Sequence, residues 1–348
     1  MNDLFTKVPN NPIFLAPMFE VTNLPFRLFC REQGANVGVS EFVSANQLYY
    51  VFKNDLLHNS NLEYMIDNDI LEKPVGLQVF GFDAEIFKML GSVFDFHKTG
   101  FDFLDLNVGC PVPKICNIGA GSKLLDSSNL SALEEILKTI THTFPDVPFS
   151  IKIRAGYKKL IDFDKFTEMI NAINLSHITI HPKLAVNLNK NYPNSVNHEF
   201  SSQLVELSDH PVIINGDITS LSMADELVAK TNAKGSMIGR QAQKYPWVFN
   251  KNYQEMVPAK VYINDLIHFI SLNKEFGFRK LYMVRDQILG MVRGFPGSKL
   301  KRSEIQTKLS SLDELEAFIL NVENHFKSTG IEFIKNIVTK TTVSLPSK

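Results

Sequence analysis

Residues 104–125, LDLNVGCPVPKICNIGAGSKLL, hold a cysteine in a Gly-Cys-Pro turn behind an apolar run. Gly109 and Pro111 restrict the backbone on either side of Cys110, so its thiol is placed rather than free to swing. A thiol so held can act as a nucleophile or a proton donor; packing as a small hydrophobe is the ordinary alternative. Cys30 and Cys116 have no comparable setting and read as packing residues. In SIKIRAGY, residues 150–157, Lys152 and Arg154 alternate with apolar residues and so face one side of an extended segment. A buried ammonium there needs either a carboxylate such as Asp105 or an electron-rich ring or phosphate. His181 closes the run HITIHP and is as readily a site residue as a structural one. IINGDITS, 213–220, and MIGRQAQ, 237–243, each put a glycine just after an apolar run. Backbone N–H groups in such turns can hold a phosphate, and Arg240 can add a bidentate contact.

These residues act together only if a fold collects them. Short apolar runs recur at 13–17, 37–43, 75–80, 101–107, 149–155, 177–182, 211–216 and 235–240. Runs without polar alternation suit strands buried on both faces of a parallel sheet. Helix-patterned stretches lie between them: one opens at Asp83 and ends at Gly100, and others read SSNLSALEEILKTITHTF and SLSMADELVAKTNAKG. Strands alternating with helices in this number predict an α/β chain folded as a (β/α)8 TIM barrel. The open doubly wound sheet is the alternative, but its GxGxxG fingerprint after the first strand is missing. Gln78, Asn107, Lys152, Arg154, His181, Asn215 and Arg240 then fall at strand C-terminal ends, where a barrel gathers its chemistry. After about Pro258 no strand candidate is evident. VYINDLIHFISLNKEF, KLYMVRDQILGMV and SLDELEAFILNVENHF read as amphipathic helices, with a turn at residues 294–297. The expected organisation is a barrel over 1–250 and a small all-α helical domain over 258–335, with the last dozen residues frayed.

Composition narrows the function classes. With 44% hydrophobic and 21% charged residues over 348, the chain can build a full core. A net charge of -1 excludes a protein-wide positive field. Residues 271–302 depart from that balance: Lys274, Arg279, Lys280, Arg285, Arg293, Lys299, Lys301 and Arg302 face only Glu275 and Asp286. Such a local excess is the footprint expected for phosphate contacts, a solvated helix face being the alternative. Three cysteines without a CxxC pair or a histidine cluster point to a reducing cytosol and to no metal. No signal peptide or membrane span is expected. The protein is expected to be cytoplasmic and monomeric.

Together the residues suggest a phosphate-bearing planar cofactor over the barrel mouth. Its phosphate would face Gly216 and Arg240 and its ring Gln78, Asn107, Lys152 and His181, with Cys110 on the open side. Flavin mononucleotide (FMN) fits, because side chains cannot transfer hydride.

The same segments resemble the tRNA-dihydrouridine synthase family, most of all its bacterial B type. LAPMFEVTNLPFR, SEFVSANQL, GLQVFG, KIRAGY, VIINGDI and IGRQAQKYPWVF follow in the family's order. LDLNVGCPVPKICNIGAGSKLL is the most specific match, and VRDQILGMVRGFPGSKLKR resembles the family's helical RNA-binding domain. The resemblance runs from about Leu15 through nearly the whole chain. It implies FMN held by Ala16, Pro17, Met18, Gln78, Asn107, Lys152, His181, Asn215, Gly216, Asp217, Gly239 and Arg240. It implies NADPH as reductant, Cys110 as general acid and tRNA as partner. Lys183, Arg285, Arg293, Lys299, Lys301 and Arg302 are the expected RNA contacts. The implied reaction reduces the C5=C6 bond of uridine to 5,6-dihydrouridine, hydride going to C6 and a proton from Cys110 to C5. The base must leave its stack for this. The chain departs from the family's pattern at Lys183, where Arg is usual, and at Glu20 and Gln241, where Gly is usual. It also matches poorly over 184–198. A flavin barrel acting on a free pyrimidine and a non-catalytic RNA-binding protein on the same scaffold are the competing readings.

Overall fold

The computed structural model describes residues 3–186, 195–276 and 280–336. Its centre is a ring of parallel strands: β1 (Ile13–Leu15), β2 (Gly38–Val39), β3 (Val43–Ser44), β4 (Val75–Phe80), β5 (Phe103–Val108), β6 (Phe149–Gly156), β7 (His177–Leu184), β8 (Val212–Asn215) and β9 (Gly235–Ile238). Their order is β1-β9-β8-β7-β6-β5-β4-β2, with β3 also on β4, so nine strands fill eight barrel positions. A parallel bridge between Phe14 and Val37, with the Leu15 N–H donating to Val37 O at 2.9 Å, closes the ring. The (β/α)8 barrel expected from the apolar runs is the fold.

The second apolar run does not form one strand. Ser40 and Glu41 interrupt it, and the Ser40 hydroxyl accepts the Gln78 N–H and donates to Glu41 O. β2 therefore pairs with the start of β4 and β3 with its end. The helix expected from Asp83 to Gly100 is likewise two pieces, Ala84–Leu90, capped by Asp83, and a single turn at Phe96–Lys98. The strands' N-terminal end is plugged by Phe14, Val37, Phe103, Ile213 and Met237. His177 packs on Phe14 and Phe103 there, and burial drives its pKa down to about 3, so it is a neutral packing residue.

Beyond the barrel lie the helices Ala259–Glu275, Leu281–Met291, Ser298–Lys308 and Leu312–Thr329. Against expectation they are bracketed by two short strands, β10 (Met256–Pro258) and β11 (Phe333–Lys335), which pair antiparallel. Each strand offers three residues with one side chain buried, too weak a pattern to read from sequence. The first of these helices packs on the barrel helix Leu24–Glu32: Phe269 meets Phe26 and Phe29, and His268 Nε2 lies 2.8 Å from Glu32. The Trp247 indole N–H donates to Asp265 at 2.6 Å across the same seam. Barrel and helices thus share one apolar core. Among the described residues, no helix is long and apolar enough to cross a membrane.

Candidate active site

The C-terminal ends of the strands surround a cavity of about 510 Å³, a size typical of ligand sites. Of the residues expected to hold a cofactor, Ala16, Pro17, Met18, Asn107, Lys152, His181, Asn215, Gly216, Asp217, Gly239 and Arg240 line it, as do Cys110 and Lys183.

Cys110 is clamped from both sides. Asn107 Oδ1, at the end of β5, accepts the N–H groups of Gly109 and Cys110 at 3.1 and 2.8 Å. Arg154, reaching across from β6, donates from Nε to Gly109 O at 2.8 Å. The Ser122 hydroxyl and N–H both donate to Cys110 O. Burial raises the thiol's pKa above its ordinary value, against smaller opposing effects from the Val112 N–H and Arg154. The group is therefore held protonated, which suits an acid rather than a thiolate nucleophile.

Gln78 takes a different place from the one expected. It is fully buried and does not line the cavity. Its Nε2 donates to Asp105 at 2.6 Å and its Oε1 accepts from Asn107 Nδ2 at 2.8 Å. Both ends of the amide are spent under the floor, so Gln78 orients Asn107 and, through it, the Cys110 turn.

Lys152 forms no salt bridge with Asp105, whose oxygens are taken by Gln78 and Ser150. Its Nζ donates instead to Asn215 Oδ1 at 3.1 Å, and Asn215 is fixed in turn by donating to Met237 O. Burial, reinforced by Arg154, lowers the Lys152 pKa to about 8, with Asp105 opposing. His181 is held neutral by burial and by the surrounding cations Lys152, Arg154, Lys183 and Arg240. Its Nε2 is buried with no hydrogen-bond partner among the described residues, so an unsatisfied polar atom stands in the wall.

The opposite wall is a cradle. A Cβ on Gly239 would stand 3.3 Å from that of Ala16, and Gly216 has φ +124°, a conformation side chains avoid. Arg240 pairs with Asp217 beside them. The first loop, with Ala16, Pro17 and Met18, is held by a residue the sequence reading missed. Arg27 is fully buried, forms a bidentate pair with Glu72, and donates to Thr22 O at 2.8 Å. Thr22 closes the turn back onto Met18. Arg154 lines the cavity too, as expected from its place at a strand end and its alternation with Lys152, while Phe42 and Lys244 line it unanticipated.

The expected RNA contacts divide. Among the described residues, Arg285 and Arg293 each keep a buried Nε without a hydrogen-bond partner, and Lys299 is exposed. Lys301 lies 3.8 Å from Glu304 and over the Phe318 ring. Lys274 is likewise paired, with Asp313 and Glu316, and Arg279 lies outside the described residues. Charge is continuous elsewhere. Lys183, Arg154, Arg240, Lys244, Arg293 and Arg302 lie close enough in succession for each to disfavour its neighbour's charge. A cationic ribbon therefore runs from the cavity onto the helices.

The sequence profile of the family described as Dihydrouridine synthase (Dus) matches residues 14–323. The chain belongs to this family. It is 29% identical over 326 residues to a probable tRNA-dihydrouridine synthase of Helicobacter pylori (strain ATCC 700392 / 26695), covering 92% of this chain and 93% of that one. It is 29% identical over 330 residues to tRNA-dihydrouridine synthase B of Pseudomonas putida, covering 91% of each. Among solved structures, a 2-naphthoyl-CoA reductase complex superposes with TM-score 0.51 at 10% identity, over 71% of this chain and 52% of that one, a likeness of fold. The matched span includes the Cys110 turn, which Asn107 and Arg154 fix at the cavity.

Proposed function

We propose that the protein is an FMN-dependent, cytoplasmic oxidoreductase that uses NADPH to reduce the C5=C6 bond of uridine in tRNA to 5,6-dihydrouridine. The observation that carries the reading is a clamped, protonated Cys110 thiol in one cavity with Lys152 and the unpartnered His181 Nε2. The residues suit FMN on their own chemistry: a glycine cradle beside Arg240 for the phosphate, a buried lysine for an electron-rich ring, and an orphaned imidazole nitrogen. When bound, FMN supplies the hydride that side chains cannot, having taken it from NADPH.

The chain's own residues do the rest. Lys152 and Asn215 present a positive charge and its orienting amide inside the barrel. Asn107 and Arg154 fix the Cys110 turn, so that the thiol can give its proton to C5 of a base laid in the cavity. The cation on Arg154 favours the resulting thiolate. A uracil reaches this depth only by leaving its stack, which costs a few kcal/mol and selects unpaired or flexible positions. The ribbon from Lys183 to Arg302 supplies phosphate contacts, dividing the labour between a barrel over 1–250 and helices over 258–335.

The test is direct. The purified protein should show a flavin spectrum that bleaches with NADPH, and mass spectrometry should find dihydrouridine in an unmodified tRNA transcript. A yellow protein that converts only free pyrimidine would replace this reading, as would a colourless protein that binds tRNA.

A further inference from the structure

We propose that the cavity mouth carries a second nucleobase subsite: an aromatic step, Phe19 stacked on Phe42, that takes an unpaired base adjoining the target uridine. This rests on the RNA-uridine reading above. Phe42 lines the cavity together with Cys110. Its ring stacks on Phe19 with centroids 5.4 Å apart and planes 24° apart, and Phe80 meets it edge-on at 5.5 Å. Phe42 and Phe80 pack on the small cluster of Cys110, Ile115 and Ala120. The stack is thus rooted in the wall that holds the thiol and open at its outer end, where Phe19 is 53% exposed.

One exposed phenylalanine needs no explanation. Three rings graded from wall to solvent beside a reaction cavity are different, because the outermost is held in place. The N–H groups of Val21 and Thr22 donate to Met18 O, bracketing it in a closed turn. The Glu20 N–H donates to the Glu41 carboxylate at 2.6 Å, and the Glu20 carboxylate accepts the Tyr282 hydroxyl at 2.9 Å. Phe19 also walls a small recess that Phe42 does not, with Glu20, Glu41, Tyr64, Lys280 and Met283.

The occupant follows from the cavity's lining. Arg154, Lys183, Arg240 and Lys244 line the same cavity as Phe42, Arg154 while bonded to the Cys110 turn itself. A single strand crossing the mouth sets its phosphates on the cations and turns its bases to the rings. Base–aromatic stacking tolerates any base, since each has a π-face. A paired base has no free face to offer, so the adjoining nucleotide must be unpaired.

The experiment uses a stem-loop RNA whose loop holds one uridine flanked by 2-aminopurine, and a second RNA abasic at that flank. Wild type should quench the 2-aminopurine fluorescence on binding. Phe19→Ala should relieve the quench and weaken binding about 5- to 100-fold, whereas Phe19→Trp should retain both. The abasic RNA should cost wild type the same factor and Phe19→Ala almost nothing. Retained visible spectra would show that both variants are folded. Independent, additive losses, or a quench unchanged by Phe19→Ala, would overturn the subsite. Binding is read without turnover, so a wild type that makes no dihydrouridine would strike the uridine reading, while the abasic cycle would still decide the step.

Discussion

At the residue scale, Cys110 and Lys152 carry opposite perturbations from the same cause. Burial penalises whichever form is charged, so it raises the thiol and lowers the ammonium. Cys110→Ala should keep the bound flavin and its bleaching by NADPH and lose dihydrouridine formation by about 10²–10⁴-fold; single-turnover product analysis separates the two steps. Lys152 gives a pH dependence. In the cofactor-free protein it loses its proton as pH rises through about 8, so FMN affinity should weaken across that range. Titration of cofactor binding should show the step in wild type and none in Lys152→Met. The stability consequence has the opposite sense. Folding lowers the lysine's pKa from 10.5 to about 8, so the folded state binds fewer protons between those values. The cost of the buried charge is full below about 8 and gone above 10.5. Lys152→Met should therefore stabilise the cofactor-free protein at pH 7, by up to about 3 kcal/mol, and the gain should shrink toward pH 10 in denaturant melts.

At the scale of elements, the first loop depends on a pair it never touches with its own side chains. Arg27 and Glu72 are both buried, and Arg27 carries the hydrogen bond to Thr22 O that sets the Met18 turn. Glu72→Ala leaves that guanidinium uncompensated and should cost about 3–5 kcal/mol. A destabilisation below 1 kcal/mol in urea melts would show that the pair holds nothing. This pair marks where legibility ends. Residues 75–80 read as a strand and are one, because a continuous apolar run has a single solution between two helical layers. Cys110, Lys152 and His181 were legible because strand ends and restrictive neighbours are local properties. Gln78 was legible as a site residue but not as a buried strut, since its partners Asp105 and Asn107 come from another strand. The split at Ser40 and Glu41 was hidden for the same reason: the register of β4 imposes it. Lys301 read as a free cation because Phe318, the ring beneath it, is seventeen residues on in another helix.

At the scale of the whole molecule, the protein is near neutral but its cations are not evenly used. Lys274 and Lys301 are tied to carboxylates, while Arg293 and Arg302 continue the ribbon that begins in the cavity. Reversing Arg293 and Arg302 to Glu should weaken tRNA binding and reduce the slope of log K against log salt by about 1 or more, without bleaching the protein. Lys301→Ala should leave that slope unchanged. A closing consequence lies in how the barrel shuts. β1 pairs with β9 on one side and meets Val37 on the other, so the earliest strand made is completed by the last. A nascent chain on the ribosome cannot seat the Ala16–Pro17–Met18 loop until residues 235–238 have emerged, and until then β8 presents an open edge. Acquisition of colour during synthesis would then time the closure of the ring, making the pigment a clock for folding as well as a reagent.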